Sequence, residues 1–400
     1  MGNSKAKESD KKQAKLLLVH SFPVWLPQTQ TWLYNQVKQL QSFGVETHVV
    51  CERTENLSQF SVNNIHSLEN ESFVRQTWEK GLRRLKVRRY LNFLAHVGRS
   101  IGTNIMHSHF GHIGWANLGA ARKLNCKHVV TFYGLDVNQL PVRDPRWKTR
   151  YQRLFAEVDL FLCEGPYMAQ SIGELGCDPN KIKVQHLGVD VENIEFQARQ
   201  WHEGESLRIL IAASFREKKG ITYAIDALGR IAKEVPVRLT IIGDAGQEEE
   251  ERQEKVKILA ALERNELSDR TRLLGYQSHQ VLLQEAYAHH LFLQPSVTAS
   301  GGDTEGGAPV SIIEMMASGM PVVATTHCDI PEVVGPAGLH LLAPERDATA
   351  VADCIRSLLD DADDWSELAR RGRRHVEQQF DVRHQAESLI DHYHSLIVKP

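Results

Sequence analysis

The 400-residue sequence has no apolar run approaching the roughly 18–20 residues that span a bilayer, so no membrane-crossing helix is expected. Its start, MGNSKAKESDKKQAK, is charged and lacks the apolar core of a secretory signal. Ala6 occupies the Ser/Thr position of a myristoylation motif, and residues 1–14 read as a disordered tail. Neither charge is in excess: 47 basic residues face 50 acidic ones, net −3, which argues against a nucleic-acid binder. The six cysteines are scattered, with no C-x-x-C and no His/Cys cluster, so neither a disulfide framework nor a structural zinc site is expected. Reduced thiols and a cytoplasmic setting follow. No G-x-G-x-x-G follows the first apolar run, which sets aside a nicotinamide dehydrogenase.

What is present is an alternation of short apolar runs with longer helical stretches, the pattern of parallel α/β sheets. The first series is Leu16-Leu17-Leu18-Val19, Thr47-His48-Val49-Val50-Cys51, Ile105-Met106-His107, Val129-Val130-Thr131-Phe132 and Leu160-Phe161-Leu162-Cys163. The second is Arg208-Ile209-Leu210-Ile211-Ala212, Leu239-Thr240-Ile241-Ile242, Leu291-Phe292-Leu293 and Val322-Val323-Ala324. A polar stretch over residues 193–206 separates them and reads as a linker. Two doubly wound, Rossmann-like domains are expected, at residues 15–192 and 207–380, with a C-terminal helix over 381–400 crossing back to the first. Ligands bind such sheets beyond the carboxyl ends of the strands. The loops that follow the strands are therefore where function is sought.

The most informative loop is Gly301-Gly302-Asp303-Thr304-Glu305-Gly306-Gly307-Ala308-Pro309, followed by Val310-Ser311-Ile312-Ile313-Glu314-Met315-Met316-Ala317-Ser318-Gly319. Pro309 suits a first helical turn and Gly319 a left-handed C-cap. The helix between them is apolar and should be buried, so the Glu314 carboxylate needs partners, either sugar hydroxyls or local amides. Ser214-Phe215-Arg216-Glu217-Lys218-Lys219-Gly220 is a basic loop after a strand, suited to a diphosphate or else a solvated turn. His107 and His109 share one face at a strand end. Asp136 is either a ligand contact or a helix N-cap. Residues 80–99 hold seven basic residues and no acid, interleaved with Leu82, Leu85, Val87, Leu91, Phe93, Leu94 and Val97. This is a basic amphipathic helix, docked on its own sheet or lying on an anionic membrane.

These segments together resemble the retaining glycosyltransferases of family 4, of GT-B fold, in the branch that builds exopolysaccharides of the colanic-acid type. The Glu305…Glu314 stretch resembles the family's E-x7-E donor signature, though eight residues intervene here. The resemblance implies that Glu305 contacts the donor sugar and Glu314 the nucleotide ribose, with Gly306, Gly307, Ala308 and Pro309 at the donor. Lys219 matches the lysine of the family's phosphate loop; the arginine position is Ser214, and Arg216 is the expected replacement. Leu274-Gly275-Tyr276-Gln277 resembles the segment beneath the base, which places Tyr276 there. Ile105-Met106-His107-Ser108-His109-Phe110 resembles the H-x-H-F segment, and so assigns His109 to the reacting centre. Val130-Thr131-Phe132-Tyr133-Gly134-Leu135-Asp136 resembles T-x-H-G-x-D, which puts Tyr133 and Asp136 on the acceptor side.

The activity thus implied is transfer of a hexosyl group, with retention, from a nucleotide-sugar, UDP-sugar favoured, to a saccharide or lipid-linked saccharide. Catalysis is expected to rest on His109, Lys219 and Glu305. No D-x-D element ends a strand of the first domain, so neither a metal nor another cofactor is expected. The enzyme should work in the cytoplasm, at the inner face of the membrane where residues 80–99 reach it. The alternatives are a GT-B-fold sugar-nucleotide epimerase and a non-catalytic sugar-nucleotide-binding relative.

Overall fold

The computed structural model describes residues 15–27, 30–307 and 309–397. The predicted tail at residues 1–14, Ala308 in the donor loop and residues 398–400 lie outside the described residues.

Seven strands form the first sheet: β1 (Leu17–Ser21), β2 (Glu46–Cys51), β3 (Ile65–Ser67), β4 (Ile105–His109), β5 (Lys127–Thr131), β6 (Leu160–Cys163) and β7 (Ile182–Val184). Their order is β3-β2-β1-β4-β5-β6-β7, every pair parallel. Six strands form the second: β8 (Leu207–Ala212), β9 (Val237–Ile242), β10 (Thr271–Leu273), β11 (Leu291–Gln294), β12 (Val322–Thr325) and β13 (Leu342–Ala343). Their order is β10-β9-β8-β11-β12-β13, again parallel. Strands covered by helices on both faces must be apolar throughout, which is why β6 and β11 are buried at every position. Strand order reverses between β1 and β4 and between β8 and β11, so each sheet has its switch-point crevice at the carboxyl ends of those pairs. The two crevices face one cleft.

Two crossings join the domains. The chain leaves the first domain beside the point where it returns, with Val189 and Asp381 bridged through Val189 N–H to Phe380 O at 2.8 Å and Val382 N–H to Val189 O at 2.9 Å. The final helix, Val382–Ile397, then packs on the first sheet, with Leu389 and Tyr393 buried among Leu18, Leu40, Ile105 and Leu162.

The stretch over residues 193–206 differs from a free linker. Arg199 is buried and donates to the carbonyls of Ala286 and Ser318, while Trp201 enters the core of the second domain. A guanidinium can satisfy several carbonyls at once, so a polar sequence is anchored without becoming apolar.

Residues 80–99 do not form one helix. Helix Phe73–Arg84 ends where Lys86 adopts φ +57°, with Lys86 N–H bonded to Arg83 O and Val87 N–H to Leu82 O, a Schellman-type termination. A second helix, Asn92–Ile101, begins with its Asn92 N–H held at 2.8 Å by the buried Glu79 carboxylate. Phe93, Leu94 and Val97 of this second helix pack into the first domain's core. The outward apolar side chains belong to the first helix and the turn after it: Phe73, Val74, Trp78, Leu85 and Val87, all more than 60% exposed. Trp78 lies four residues from Val74 and seven from Leu85, which places the three on one helical face.

Candidate functional site

A cavity of about 460 Å³ lies between the domains, lined by Tyr133 and Glu164 from the first and by Arg216, Lys218, Lys219, Tyr276, Glu305, Pro309 and Glu314 from the second. Seven of the sequence-derived site residues therefore meet in one place.

On the second domain's wall, β8 runs into residues 213–220 and then helix Ile221–Ile231. Gly220 turns the chain at φ +63°, and a Cβ there would sit 1.8 Å from Pro295 O, so only glycine lets this loop pass the end of β11. That passage brings Lys219 to the donor loop, where its Nζ lies 2.7 Å from Glu305 Oε2. Ser296 Oγ donates to the other Glu305 oxygen at 2.8 Å. Burial alone would push the Glu305 carboxyl up; the ammonium groups of Lys219 and Lys218 and these hydrogen bonds outweigh it and hold the group at about 2. The Glu305 amide donates to His327 Nε2 at 3.1 Å, so the ring proton sits on Nδ1, which meets Glu345 at 2.6 Å. Lys218 Nζ bonds Thr304 O at 2.8 Å, and it shares the Asp303 carboxylate with Arg216 at 3.2 and 3.0 Å. Arg216 thus stands in the basic loop beside the two lysines.

Helix Val310–Ala317 starts after Pro309 and ends at Gly319, which is left-handed at φ +86°. Glu314 is buried on it between Ile313 and Met315, 8% exposed, and accepts from His279 Nε2 at 2.8 Å. That hydrogen bond is the main reason the His279 imidazolium is favoured and its pKa raised. Tyr276 lies at the rim, half exposed, its hydroxyl donating to Asp244 O at 2.8 Å. Gly306, at φ +85°, packs against Gly134 of the first domain; a Cβ on Gly306 would lie 2.4 Å from Gly134 Cα. Asn138 Nδ2 donates to Thr304 Oγ1 at 2.7 Å, a second tie across the cleft. Asp329 makes a third, accepting the amides of Tyr167 at 2.7 Å and Met168 at 3.4 Å, the first turn of helix Pro166–Glu174.

On the first domain's wall two expected site residues lie outside the cavity lining. His109 does not line the cavity: it is fully buried, and it meets the cavity-lining Tyr133 hydroxyl through Nδ1 at 2.6 Å. Asp136 is also fully buried, its carboxylate accepting the amides of Gly111 at 2.5 Å and Tyr133 at 3.0 Å. It caps helix Gly111–Leu124 and orients the Tyr133 backbone, with no oxygen presented to the cleft. Burial raises its pKa to about 6, the amides only partly opposing this.

Behind Tyr133 the imidazoles of His20, His107 and His109 lie close enough for their nitrogens to share a metal ion. Those nitrogens are already engaged: His109 Nε2 with His20 Nδ1 at 2.9 Å, and His107 with Tyr393 OH at 2.7 Å and Thr131 Oγ1 at 2.6 Å. His20 Nε2 alone has no partner. Burial drives the pKa of all three down, His20 to about 3, so the cluster is neutral and a metal would have to displace its hydrogen bonds.

Three cavity-lining residues escaped the sequence reading, Lys218, Glu164 and His279, as did His327 behind Glu305. Lys218 adjoins Lys219, and Glu164 follows β6, so position alone pointed to both. His279 is a lone histidine at a helix start, with nothing in the sequence to pair it with Glu314.

Residues 29–193 match the family model described as Glycosyltransferase Family 4, and residues 206–361 that described as Glycosyl transferases group 1. The chain is 32% identical over 286 residues to the amylovoran biosynthesis glycosyltransferase AmsK of Erwinia amylovora, covering 70% of this chain and 68% of that one. It is 32% identical over 292 residues to the putative colanic acid biosynthesis glycosyltransferase WcaL of Escherichia coli (strain K12), covering 71% and 68%. Among solved structures, Anabaena Alr3699/HepE in complex with UDP and glucose superposes with a TM-score of 0.73 at 16% identity, covering 94% of this chain and 99% of that one. Sucrose-phosphate synthase from Thermosynechococcus elongatus superposes with a TM-score of 0.72 at 16% identity, covering 96% and 99%. With two parallel-sheet domains facing a cleft that gathers the donor-signature residues, and with this degree of likeness, the chain belongs to the GT-B-fold glycosyltransferases of family 4.

Proposed function

We propose that this protein transfers a hexosyl group, with retention, from a UDP-sugar to a saccharide or lipid-linked saccharide in exopolysaccharide assembly. The observation that carries the reading is the Glu305 carboxylate held ionised by Lys219 at the junction of the two domains, with Arg216 and Lys218 beside it. In this reading the cations receive the diphosphate, Glu314 with His279 takes the ribose, and Tyr276 lies at the base. Glu305 binds the sugar and does not attack it: its oxygens serve Lys219 and Ser296, and each keeps a lone pair for a sugar hydroxyl. The sugar's C1–O bond to the diphosphate breaks as the acceptor oxygen bonds C1 from the same face, and the acceptor proton passes to the departing phosphate oxygen. Lys219 and Arg216 stabilise the charge that develops there, an electrostatic contribution of the oxyanion-hole kind. UDP is favoured because the HepE structures hold UDP or UDP-glucose. The polysaccharide setting follows the activities named for AmsK and WcaL.

The positive charge that a diphosphate requires is supplied by side chains, and the proposed reaction needs no metal or other cofactor. We test both points by following nucleotide release from UDP-, GDP- and ADP-sugars with EDTA present. Release from one donor, lost in Glu314→Ala, supports the reading; no release and no nucleotide binding from any donor overturns it.

The cytoplasmic membrane surface is the proposed place of work. No helix among the described residues is long and apolar enough to cross a membrane. The exposed Phe73, Val74, Trp78, Leu85 and Val87, with Lys80, Arg84 and Lys86 between them, form the combination that settles on anionic lipid. Trp78→Ser with Leu85→Ser should reduce sedimentation with vesicles containing an anionic phospholipid and leave nucleotide binding intact. Equal sedimentation of parent and variant would remove the membrane from the proposal.

A further inference from the structure

Glu164 follows the last residue of β6 on the cavity wall and is 9% exposed. Its backbone carbonyl accepts from His186 Nδ1 at 2.7 Å, but among the described residues no group hydrogen-bonds or ion-pairs with its carboxyl. The donor loop lies directly against it: a Cβ on Gly307 would stand 2.1 Å from Glu164 Oε2. A buried carboxyl without a partner costs stability, and a fold keeps one where a ligand completes it. We propose that Glu164 is a sugar-binding residue, its carboxyl hydrogen-bonding hydroxyls of the transferred sugar or of the acceptor sugar.

The surroundings suit that role. Burial first, then repulsion from Asp329, Asp136 and Glu305, keeps the proton on Glu164 well above the usual carboxylate range, with Lys218 the opposing charge. Tyr133, whose phenol burial keeps protonated, faces the same space. A protonated carboxyl can donate to an oxygen, which an ionised one cannot. Glutamine reproduces its size and its one-donor, one-acceptor pattern without the charge.

This inference rests on the transferase reading, so its test separates the two. Nucleoside diphosphate affinity is measured by calorimetry with UDP, GDP and ADP. Donor hydrolysis without acceptor, transfer with acceptor and the melting temperature are then measured for the parent, Glu164→Gln, Glu164→Ala and Glu314→Ala. Glu164→Gln, which keeps one donor and one acceptor, should lose less activity than Glu164→Ala and should lose the decline at high pH that ionisation of Glu164 gives the parent. Glu164→Ala should lose about tenfold to a hundredfold in kcat/KM, the worth of one or two hydrogen bonds, with diphosphate affinity unchanged and a melting temperature no lower than the parent's. A loss already present in donor hydrolysis places the hydroxyls on the transferred sugar; a loss seen only with acceptor places them on the acceptor. Parental activity in Glu164→Ala, or a matching fall in diphosphate affinity or melting temperature, overturns the assignment. A parent that binds none of the diphosphates fails the transferase reading, and this inference with it.

Discussion

The second domain's wall of the cleft is made of ion pairs, and the first domain's wall of buried groups whose charged forms burial disfavours. Lys219, Lys218 and Arg216 are paired with Glu305 and Asp303, and the strongest of these pairs holds Glu305 at about 2. Across the cleft, His20, His107, His109, Tyr133 and Asp136 are tied to one another and to the backbone, and burial moves every one of their pKa values toward the neutral form. A charged wall suits a diphosphate, whose charge can replace the internal pairs. A neutral wall suits hydroxyl groups, which need directed donors and acceptors and gain nothing from net charge. In the proposed reading the ionic wall holds the diphosphate and reaches the sugar through Glu305, and the opposite wall offers hydrogen bonds to hydroxyls.

The largest effect expected from breaking this division comes from the ionic wall. Lys219→Ala should lower kcat on the order of 10²–10³-fold, because it removes the charge at the departing phosphate and strands Glu305. Steady-state nucleotide release measures it, and near-parental turnover would make the Lys219–Glu305 pair merely structural. Next, His279→Ala should weaken nucleotide binding about tenfold by freeing the Glu314 carboxylate from its charged partner. Calorimetry reads this directly, and an unchanged affinity would place the ribose elsewhere.

For the tied histidine, tyrosine and aspartate groups behind the first domain's wall the expected changes are in stability more than in rate. Tyr133→Phe leaves His109 Nδ1 buried without a partner and should cost about 1–3 kcal/mol in denaturant unfolding. The smallest effect sharpens the contrast through pH. Asp136 and Asp329 have folded pKa values of about 6, above the ordinary 3.8, so the native state holds their protons more tightly. Their contribution to stability is full below about pH 4 and is lost as pH rises through 6. Glu305 runs the other way, contributing above about pH 4.5 and losing that contribution as pH falls through 2. The change in melting temperature between about pH 4 and pH 7 should therefore be smaller in Asp136→Asn than in the parent.

The ionic wall was also the more legible one. A basic loop after β8 and a glutamate on an apolar helix are local patterns, and the mostly apolar β8 and β11 read as buried strands. The histidine pair at the end of β4 was equally visible, but its place was not. That neither imidazole lines the cleft depends on Tyr133, from the end of β5, and on Tyr393, from the last helix, both distant in sequence. Asp136 was readable as a cap or a ligand, and the position of the Gly111 amide settled it. The single helix expected over residues 80–99 failed because composition does not register the turn at Lys86. Only its second half faces the sheet.

The sequence by itself determined two parallel α/β domains, and it marked the basic loop and the glutamate-bearing helix that the cleft brings together. Each follows from short-range patterns of apolarity, glycine and charge within one segment. Tertiary structure alone decided that His279 partners Glu314, that His109 is sealed behind Tyr133, and that Glu164 meets the donor loop without a partner. Burial and pairing between segments far apart in the chain are set by how the sheets and the two domains close on each other.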